Sequence, residues 1–294
     1  MSRILCTAVL LVRTLQAAPP VPAPAPTPVS AAAQARLAAL EAHAGGRLGV
    51  MALDTGTGRR IAHRGEARFP LCSTFKVLLA GAVLARVERG RERLDRPIAY
   101  TTADLLDHAP VTAARVAEGR MTVEALCAAA VEASDNTAAN LLLQVLGGPA
   151  EVTVFARSLG DPVTRLDRTE PTLNTAIPGD PRDTTSPAAM VEALKAMLLG
   201  GALEPASCQR LEGWMRGCLT GGDRLKAGLP VTWIVGDKTG SGARGTVNDV
   251  AVLRPPGRAP ILVAAYYTGS RATMKDRNAV LAEVGRIVAA AFPN

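Results

Sequence analysis

Hydrophobic and polar residues follow the period of strands near both ends of the chain and the period of helices in the middle. An Ala/Leu-rich stretch at 31–43 predicts a helix, and segments 47–54 and 60–63, joined by Thr-Gly-Thr-Gly, predict a β-hairpin. Toward the C-terminus, β-branched runs predict three strands and an amphipathic pattern predicts a final helix, at 231–239, 246–254, 260–268 and 275–292.

The middle of the chain is dominated by helical patterns. Residues 73–89 form a heavily apolar helical pattern that stops at Gly90. Capping residues and glycines predict further helices at 122–133, 137–146, 149–160, 186–199 and 204–219. Residues 161–183 are rich in proline and aspartate and poor in apolar side chains, which indicates a long irregular loop; loops of this length are usually functional.

This order of elements predicts an α+β fold with two lobes. Because strands occur only near the two ends, the simplest topology pairs them in one mainly antiparallel sheet. Residues 31–68 and 219–294 then form an α/β sandwich lobe, and residues 69–218 form an all-helical lobe that includes loop 161–183. A cleft is expected where the helical lobe meets the sheet.

The first residues have the pattern of an export signal. Arg3 is followed by a short apolar stretch and by the small residues Ala17 and Ala18, which predicts a signal peptide over 1–18. Alternating proline and alanine then predict an extended spacer over 19–30. We therefore expect a secreted protein, and no apolar run is long enough to span a bilayer after cleavage.

The net charge of +7 falls to +5 without the signal and spacer, which hold two arginines and no acidic residue. A basic chain raises the possibility of nucleic-acid binding. The basic residues are scattered, however, and aromatic residues amount to only 3% of the chain. A protein with a mildly basic surface and no nucleic-acid partner is the better interpretation.

The cysteine pattern predicts neither a zinc site nor a disulfide framework. Cys6 lies in the predicted signal, and the spacing of Cys72, Cys127, Cys208 and Cys218 matches no zinc motif. Cys208 and Cys218 fall ten residues apart on one predicted helix, too far to bridge each other. We expect mostly free, buried thiols.

Ser73 and Lys76 open the most apolar helix of the chain. A serine in the first turn lies at the positive end of the helix, and a residue three positions later lies on the same face. An amine there can take the serine proton if its surroundings lower its pKa. Taken alone, the pattern fits a capped helix with a surface lysine at least as well.

Two further tripeptides carry groups suited to the same chemistry. Ser134-Asp135-Asn136 lies between two predicted helices, where a hydroxyl can pass a proton and an amide can orient a substrate; an ordinary capped turn has the same composition. Lys238-Thr239-Gly240 is predicted at a strand end, where it can hold a carboxylate and where glycine allows close backbone approach. A plain strand end is the alternative.

In this order, the three motifs resemble those of class A β-lactamases and penicillin-binding proteins. Each fixed tripeptide arises by chance roughly once in 8,000 positions, so the set is specific. The segment Arg-Thr-Glu-Pro-Thr-Leu-Asn at 168–174 resembles the omega loop of class A enzymes, including a deacylating glutamate, Glu170, and an asparagine, Asn174. The resemblance covers the chain from about residue 31 and is closest to the cefotaxime-hydrolysing, extended-spectrum group.

The resemblance implies a β-lactamase/transpeptidase-like fold and two-step acyl transfer on β-lactam antibiotics, by a periplasmic monomer that needs no cofactor or metal. Ser73 attacks the lactam carbonyl, and Lys76, or Glu170 through a water, takes its proton. Ser134 protonates the leaving nitrogen. Glu170 and Asn174 then hold the water that hydrolyses the acyl-enzyme.

The resemblance also implies how the loop is shaped and where the substrate binds. Arg168 and Asp183 bracket the omega loop and are expected to pair, and Pro171 permits a cis bond after Glu170. The backbone N–H groups of Ser73 and Ser241 are expected to form the oxyanion hole. The residues expected to bind substrate are Asn136, Asn174, Lys238, Thr239, Gly240, Ser241, Arg224, Cys72 and His108.

Several positions depart from common members of the family. Val247 stands where many members place an arginine that supports the carboxylate site, and Arg224 resembles the substitute that other members use. His108 stands at the cleft rim in place of an aromatic residue, and a solvent-exposed loop histidine is an equally good interpretation.

Two cysteines match disulfide positions of some members without their partners. Cys72 matches a cysteine of carbapenem-hydrolysing members, but the position of its partner is Gly242. Cys127 likewise faces Ala80 in the family pattern. Neither bridge is therefore expected.

Two rival functions share the first three motifs. A penicillin-sensitive transpeptidase or carboxypeptidase, or a β-lactam sensor that stays acylated, would lack an equivalent of Glu170. A plain serine esterase would need a His–Asp pair, and none of the three histidines, His43, His63 and His108, has such a setting.

Overall fold

A computed structural model describes residues 31–293, so the predicted signal peptide and spacer lie outside the described residues. The first half contains α1 (Ala31–Ala44), β1 (Arg47–Asp54), β2 (Arg60–His63), β3 (Phe69–Pro70), α2 (Phe75–Glu88), β4 (Pro97–Ala99), α3 (Pro110–Ala114), β5 (Arg120–Thr122), α4 (Val123–Glu132) and α5 (Asn136–Leu146). The second half contains α6 (Ala150–Ser158), β6 (Thr184–Thr185), α7 (Pro187–Leu198), α8 (Pro205–Arg216), β7 (Ile234–Gly242), β8 (Thr246–Arg254), β9 (Ile261–Thr268) and α9 (Met274–Ala291).

One five-stranded antiparallel sheet joins the two ends of the chain, as predicted. Its strand order is β2-β1-β9-β8-β7, so β1 pairs along its whole length with β9. Val50 lies opposite Ala265, and Ser241 on the edge strand β7 lies opposite Val247. The α+β prediction is confirmed.

The sheet separates two hydrophobic clusters, because successive residues of a strand point to opposite faces. On β9, Tyr267 is buried in the cluster that includes Leu37 of α1 and Ile287 of α9. Its neighbour Tyr266 is buried in the other cluster, with Phe75 of α2 and residues of the helical middle. The sheet therefore has helices on both faces.

Capping residues begin several helices where the sequence predicts them. Thr122 accepts a hydrogen bond from the Ala125 N–H at the start of α4, and Ser186 accepts one from the Ala189 N–H at the start of α7. Within residues 31–293, no single helix is long and apolar enough to cross a membrane; α5 and α6 pass that test only together and are bent by 73°.

The structure corrects two predicted boundaries. Helix α8 ends at Arg216, because Gly217 packs against Glu132 and the chain then turns away, so Cys208 and Cys218 do not share a helix. Strand β7 begins at Ile234 rather than at 231 and continues to Gly242, so Lys238-Thr239-Gly240 lies inside the strand rather than at its end.

Short strand pairs are a second difference from the predicted all-helical middle. Strand β3 pairs with β6, and β4 pairs with β5, each over two or three residues that are too short to show a period. The four described cysteines are free, as predicted; Cys72 and Cys127 are buried, whereas Cys208 and Cys218 are half-buried.

Asp135 links the start of α5 to the first turn of α3, and its side chain is fully buried. Its carboxylate accepts the Ala138 N–H at 2.8 Å, the Val111 N–H at 3.0 Å and the Thr112 N–H at 2.9 Å. The Thr112 hydroxyl donates to it at 2.9 Å. This one side chain therefore holds the turn that carries Ser134.

We expect Asp135→Ala to lower the free energy of unfolding by at least about 3 kcal/mol, since a lost cap is worth about 1 kcal/mol and each of the two unsatisfied N–H groups adds about 1–3 kcal/mol. Guanidinium unfolding followed by circular dichroism measures the change. Thr122→Ala, which removes a cap alone, is the control, with an expected loss of about 1 kcal/mol. Equal losses in the two variants would contradict the fastening role of Asp135.

Candidate active site

Ser73 lies in a tight turn that leads into α2. Residues Cys72–Thr74 form a 3₁₀ turn, and Cys72 has a left-handed backbone, with φ of +43°. The side-chain amide of Asn248 donates to the carbonyl oxygens of Pro70 at 2.9 Å and Leu71 at 3.1 Å, which fastens this turn to β8. Backbone strain of this kind is common at functional sites, where surrounding contacts hold it.

Lys76 is one turn after Ser73 and is completely buried. Its ammonium donates to the Ser134 carbonyl at 2.8 Å and to Asn136 Oδ1 at 2.6 Å, and lies 3.1 Å from Glu170 Oε1. Burial lowers the pKa of Lys76, and the carboxylate of Glu170 opposes that change. The surface-lysine alternative for this motif is therefore wrong.

Ser134 lies between two buried lysines. Its backbone is left-handed, with φ of +58°, and its hydroxyl accepts a hydrogen bond from Lys238 Nζ at 3.0 Å. Lys238 is completely buried, and burial lowers its pKa to about 7, with a further lowering from the nearby ammonium of Lys76. The hydroxyl of Ser134 is thus held against a group that can gain or lose a proton near neutral pH.

Glu170 approaches the nucleophile from the loop 161–183. Ser73 Oγ donates to Glu170 Oε1 at 3.1 Å, and Asn174 Nδ2 donates to Glu170 Oε2 at 2.5 Å. The peptide bond between Glu170 and Pro171 is cis. Asn140 of α5 holds the backbone of Glu170 from both sides, at 3.0 Å to its N–H and 2.9 Å to its carbonyl.

The base of this loop is closed by the expected pair. Arg168 Nε lies 2.5 Å from Asp183 Oδ2, and Asp183 Oδ1 also accepts the N–H groups of Asp167 at 2.7 Å and Arg168 at 2.9 Å. The Asp183 side chain is fully buried, so these contacts form in a low-dielectric setting. The predicted pairing of Arg168 with Asp183 is confirmed.

Strand β7 forms the opposite wall of the site. A Cβ atom on Gly240 would lie 3.0 Å from the Leu71 carbonyl and 3.2 Å from Cys72 Cβ, so glycine allows the strand to pack closely against the turn that carries Ser73. Thr239 is buried, and its hydroxyl lies 2.5 Å from that of Thr220. Ser241, two residues after Thr239 on this edge strand, is exposed.

Arg224 is 6% exposed and lies behind β7 and β8. Its guanidinium donates to the carbonyls of Gly240 and Asn248, each at 2.7 Å, and to Ser241 Oγ at 2.7 Å. Val247, opposite Ser241, is buried in the apolar core and carries no charge. Arg224 is therefore the arginine that brings positive charge to Ser241.

The remaining predicted positions lie around this centre. His108 is exposed; its ring contacts the Ala133 carbonyl at 3.1 Å, and its own carbonyl accepts the Asn136 N–H at 2.8 Å. Cys72 is buried, and burial raises the pKa of its thiol. A Cβ on Gly242 would lie only 2.6 Å from Cys72 Sγ, so these two positions face each other without a bridge.

The sequence motifs did not reveal three residues that fix the site: Asn140, Thr220 and Asn248. Each is a single polar residue that is common in a turn, a helix or a strand, so its type and position alone do not indicate a functional role. Asn140 does stand four residues after Asn136, on the same face of α5, and that spacing was the one signal available.

Comparisons with known proteins show which family the chain belongs to. The profile of the beta-lactamase enzyme family matches residues 32–292. The chain is 49% identical over 255 residues to beta-lactamase CTX-M-8 of Citrobacter amalonaticus, with 87% of each chain covered. It is 51% identical over 253 residues to beta-lactamase AST-1 of Nocardia asteroides, covering 86% of this chain and 81% of that protein.

A solved structure of an ancestral class A β-lactamase, GNCA, superimposes with a TM-score of 0.87 and 62% identity, covering 88% of this chain and all of that one. The fold and the site therefore define a class A serine β-lactamase. The chain belongs to the beta-lactamase enzyme family, and its activity is the hydrolysis of β-lactams.

The lowered pKa of Lys238 predicts a pH dependence. We expect Lys238 to attract the substrate carboxylate while it is cationic, below its pKa of about 7, and to lose that attraction as the pH rises through that value. We expect kcat/KM for benzylpenicillin to fall above about pH 7, mainly through KM. In Lys238→Arg the cation persists and the decline should move to higher pH. An unchanged decline in that variant would assign it to another group.

Proposed function

We propose that the enzyme hydrolyses β-lactams through an acyl-enzyme on Ser73, with Glu170 as the base for deacylation. One observation carries this proposal: the carboxylate of Glu170 contacts Ser73 Oγ and Lys76 Nζ, both at 3.1 Å, and Asn174 Nδ2 at 2.5 Å. A nucleophile, a buried amine and a water-positioning amide thus share one carboxylate.

In acylation, Ser73 Oγ attacks the lactam carbonyl and its proton passes to the pair formed by Lys76 and Glu170. The lowered pKa of Lys76 suits an amine that exchanges protons during the reaction. The backbone N–H groups of Ser73 and Ser241 are assigned to the oxyanion hole, where each donor is worth about 3–4 kcal/mol. The hydroxyl of Ser134 then protonates the leaving nitrogen, and Lys238 holds that hydroxyl at 3.0 Å.

In deacylation, Glu170 removes a proton from water, and the resulting hydroxide attacks the ester on Ser73. Asn174 supports this role, because its Oδ1 is buried without a hydrogen-bond partner among residues 31–293 while its Nδ2 contacts Glu170. A water donating to Asn174 Oδ1 would satisfy that atom and lie beside the carboxylate.

Substrate binding is assigned to residues that surround this centre. Lys238, Thr239 and Ser241 receive the drug carboxylate on β7, with the charge of Arg224 behind Ser241. Asn136 orients the substrate amide, and Gly240 allows β7 to pack closely against the turn that carries Ser73. His108 is assigned to the exposed rim, and Cys72 supports the turn of Ser73.

The location proposed for the protein is the periplasm, as a monomer free of the membrane, following the signal-like pattern at 1–18 and the similarity to bacterial β-lactamases. With a β-lactam, a transpeptidase and a β-lactam sensor both stop at a stable acyl-enzyme. Glu170 beside Ser73 favours hydrolysis over either, because a base within reach of the ester activates water.

Glu170→Ala provides the decisive test of deacylation. The variant should react with benzylpenicillin but remain acylated on Ser73, because general-base assistance contributes about 10²–10⁴-fold. Intact-protein mass spectrometry should show a persistent adduct in the variant and none in the wild-type protein. Ser73→Ala, which keeps the fold and loses the nucleophile, is the control and should form no adduct. A wild-type protein that stays acylated for hours would refute the proposal.

The charge of Arg224 should act mainly on substrate affinity. We expect Arg224→Ala to raise KM for penicillins about tenfold, the effect of losing one charge-assisted contact. Arg224→Gln keeps hydrogen-bonding groups for the Gly240 and Asn248 carbonyls and separates the loss of charge from the loss of support. Steady-state kinetics on both variants measures the change. An unchanged KM in Arg224→Gln would assign the role to another cation, such as Arg277.

A further inference from the structure

A cavity of about 880 Å³ lies outside the proposed β-lactam site. Five segments form its walls: the start of β1, the segment with Arg68 and Pro70, the second half of the omega loop (176–181) with Thr184, the turn after β7 and the turn after β9. None of the residues assigned above to catalysis or β-lactam binding lines it. The cavity nevertheless adjoins the catalytic loop, because Ala243 N–H donates to the Asn174 carbonyl at 2.9 Å.

Four arginines line this cavity: Arg47, Arg68, Arg244 and Arg271. Within residues 31–293, none of the four forms an ion pair with a carboxylate. The one acidic residue in the lining is Asp180, and its carboxylate already lies 2.8 Å from Arg182. The cavity therefore has an excess of positive charge.

Two of these arginines are held in place by neutral groups. Arg68 Nη1 donates to the Val163 carbonyl at 2.8 Å and to Thr184 Oγ1 at 3.0 Å. The Arg47 guanidinium donates to the Arg68 carbonyl and lies 4.0 Å from the centre of the Phe69 ring. Neutral partners orient a guanidinium without cancelling its charge, so both remain available to an anion.

The other two arginines lie in the turns after β7 and after β9. Arg244 and Arg271 are exposed, and neither side chain makes a hydrogen bond within the described part of the chain. Arg244 lies in the turn between β7 and β8, and its carbonyl accepts the Gly269 N–H at 2.9 Å, which holds the two turns together. Both side chains can rotate onto a ligand without breaking a contact of the fold.

Part of the remaining lining is apolar. Pro70, Ala176, Ile177, Pro178 and Pro181 contribute carbon surface, and Ile177 is 42% exposed. A ligand that fits this lining has several anionic groups for the arginines and carbon atoms for the loop wall.

We propose that this cavity is a binding site for a small soluble polyanion that carries two or more phosphate, sulfate or carboxylate groups. Guanidinium groups pair with such oxyanions through two parallel hydrogen bonds, and four unpaired guanidinium groups around one cavity repel one another until an anion enters. A single-charged anion satisfies this arrangement less well, so affinity should rise with the number of charges.

The test is calorimetric titration of the purified full-length protein with inorganic tripolyphosphate in metal-free buffer at low salt. We expect binding to the wild-type protein and weaker binding of sulfate. Arg244→Glu and Arg271→Glu should each weaken tripolyphosphate binding about tenfold or more, the effect of losing one charge-assisted contact. Arg91→Glu is the matched control, because Arg91 is exposed, lies outside the cavity and should leave binding within twofold.

Thermal melting without anion checks that each variant is folded, and Arg244→Gln and Arg271→Gln repeat the test with a smaller change of charge.

Three results would overturn the proposal. One is the absence of binding to the wild-type protein. Another is an equal loss in Arg91→Glu, which would show general attraction to a basic surface. The third is binding that survives the cavity variants, disappears in Arg224→Gln and competes with benzylpenicillin, which would place the anion in the β-lactam site.

Discussion

The buried contact between Glu170 and Lys76 is the interaction on which the rest of the site depends. Both side chains are fully shielded from solvent, and a charge in that setting is stable only when it is paired and hydrogen-bonded. The surrounding contacts meet this need: Asn174 supports the carboxylate, and Ser134 and Asn136 support the ammonium. These contacts bring the loop, the helix and the turn together around Ser73. The contacts that stabilise the two buried charges therefore also position the catalytic groups.

Much of the fold follows from local patterns. The bounds of β1 and β2 agree with alternation and turn composition, and caps such as Thr122 and Ser186 mark helix starts, because a side-chain oxygen there satisfies an otherwise unpaired N–H. The pairing of Arg168 with Asp183 was also predictable, since two opposite charges that bracket a loop of few apolar residues have little else to bind.

Features that depend on tertiary contacts were not predictable from local patterns. The end of α8 depends on how Gly217 packs against Glu132, two residues that are far apart in the chain. The side chain of Asn140 holds the backbone of Glu170, and its spacing from Asn136 indicates only a shared helix face, not this contact. The arginine-lined cavity likewise combines five segments that are far apart in the sequence, so neither its shape nor its charge could be predicted before the fold was known.

The pairing of β1 with β9 has a consequence for how the chain folds during synthesis. Val50 is opposite Ala265, so the first strand of the sheet has no partner in β9 until more than two hundred further residues have been made. At about 5–20 residues per second, that delay is on the order of 10–40 s. The nascent chain thus cannot complete its sheet before almost all of it has left the ribosome. A chain that remains incompletely folded until its last strand emerges is well suited to crossing a membrane as an unfolded polypeptide.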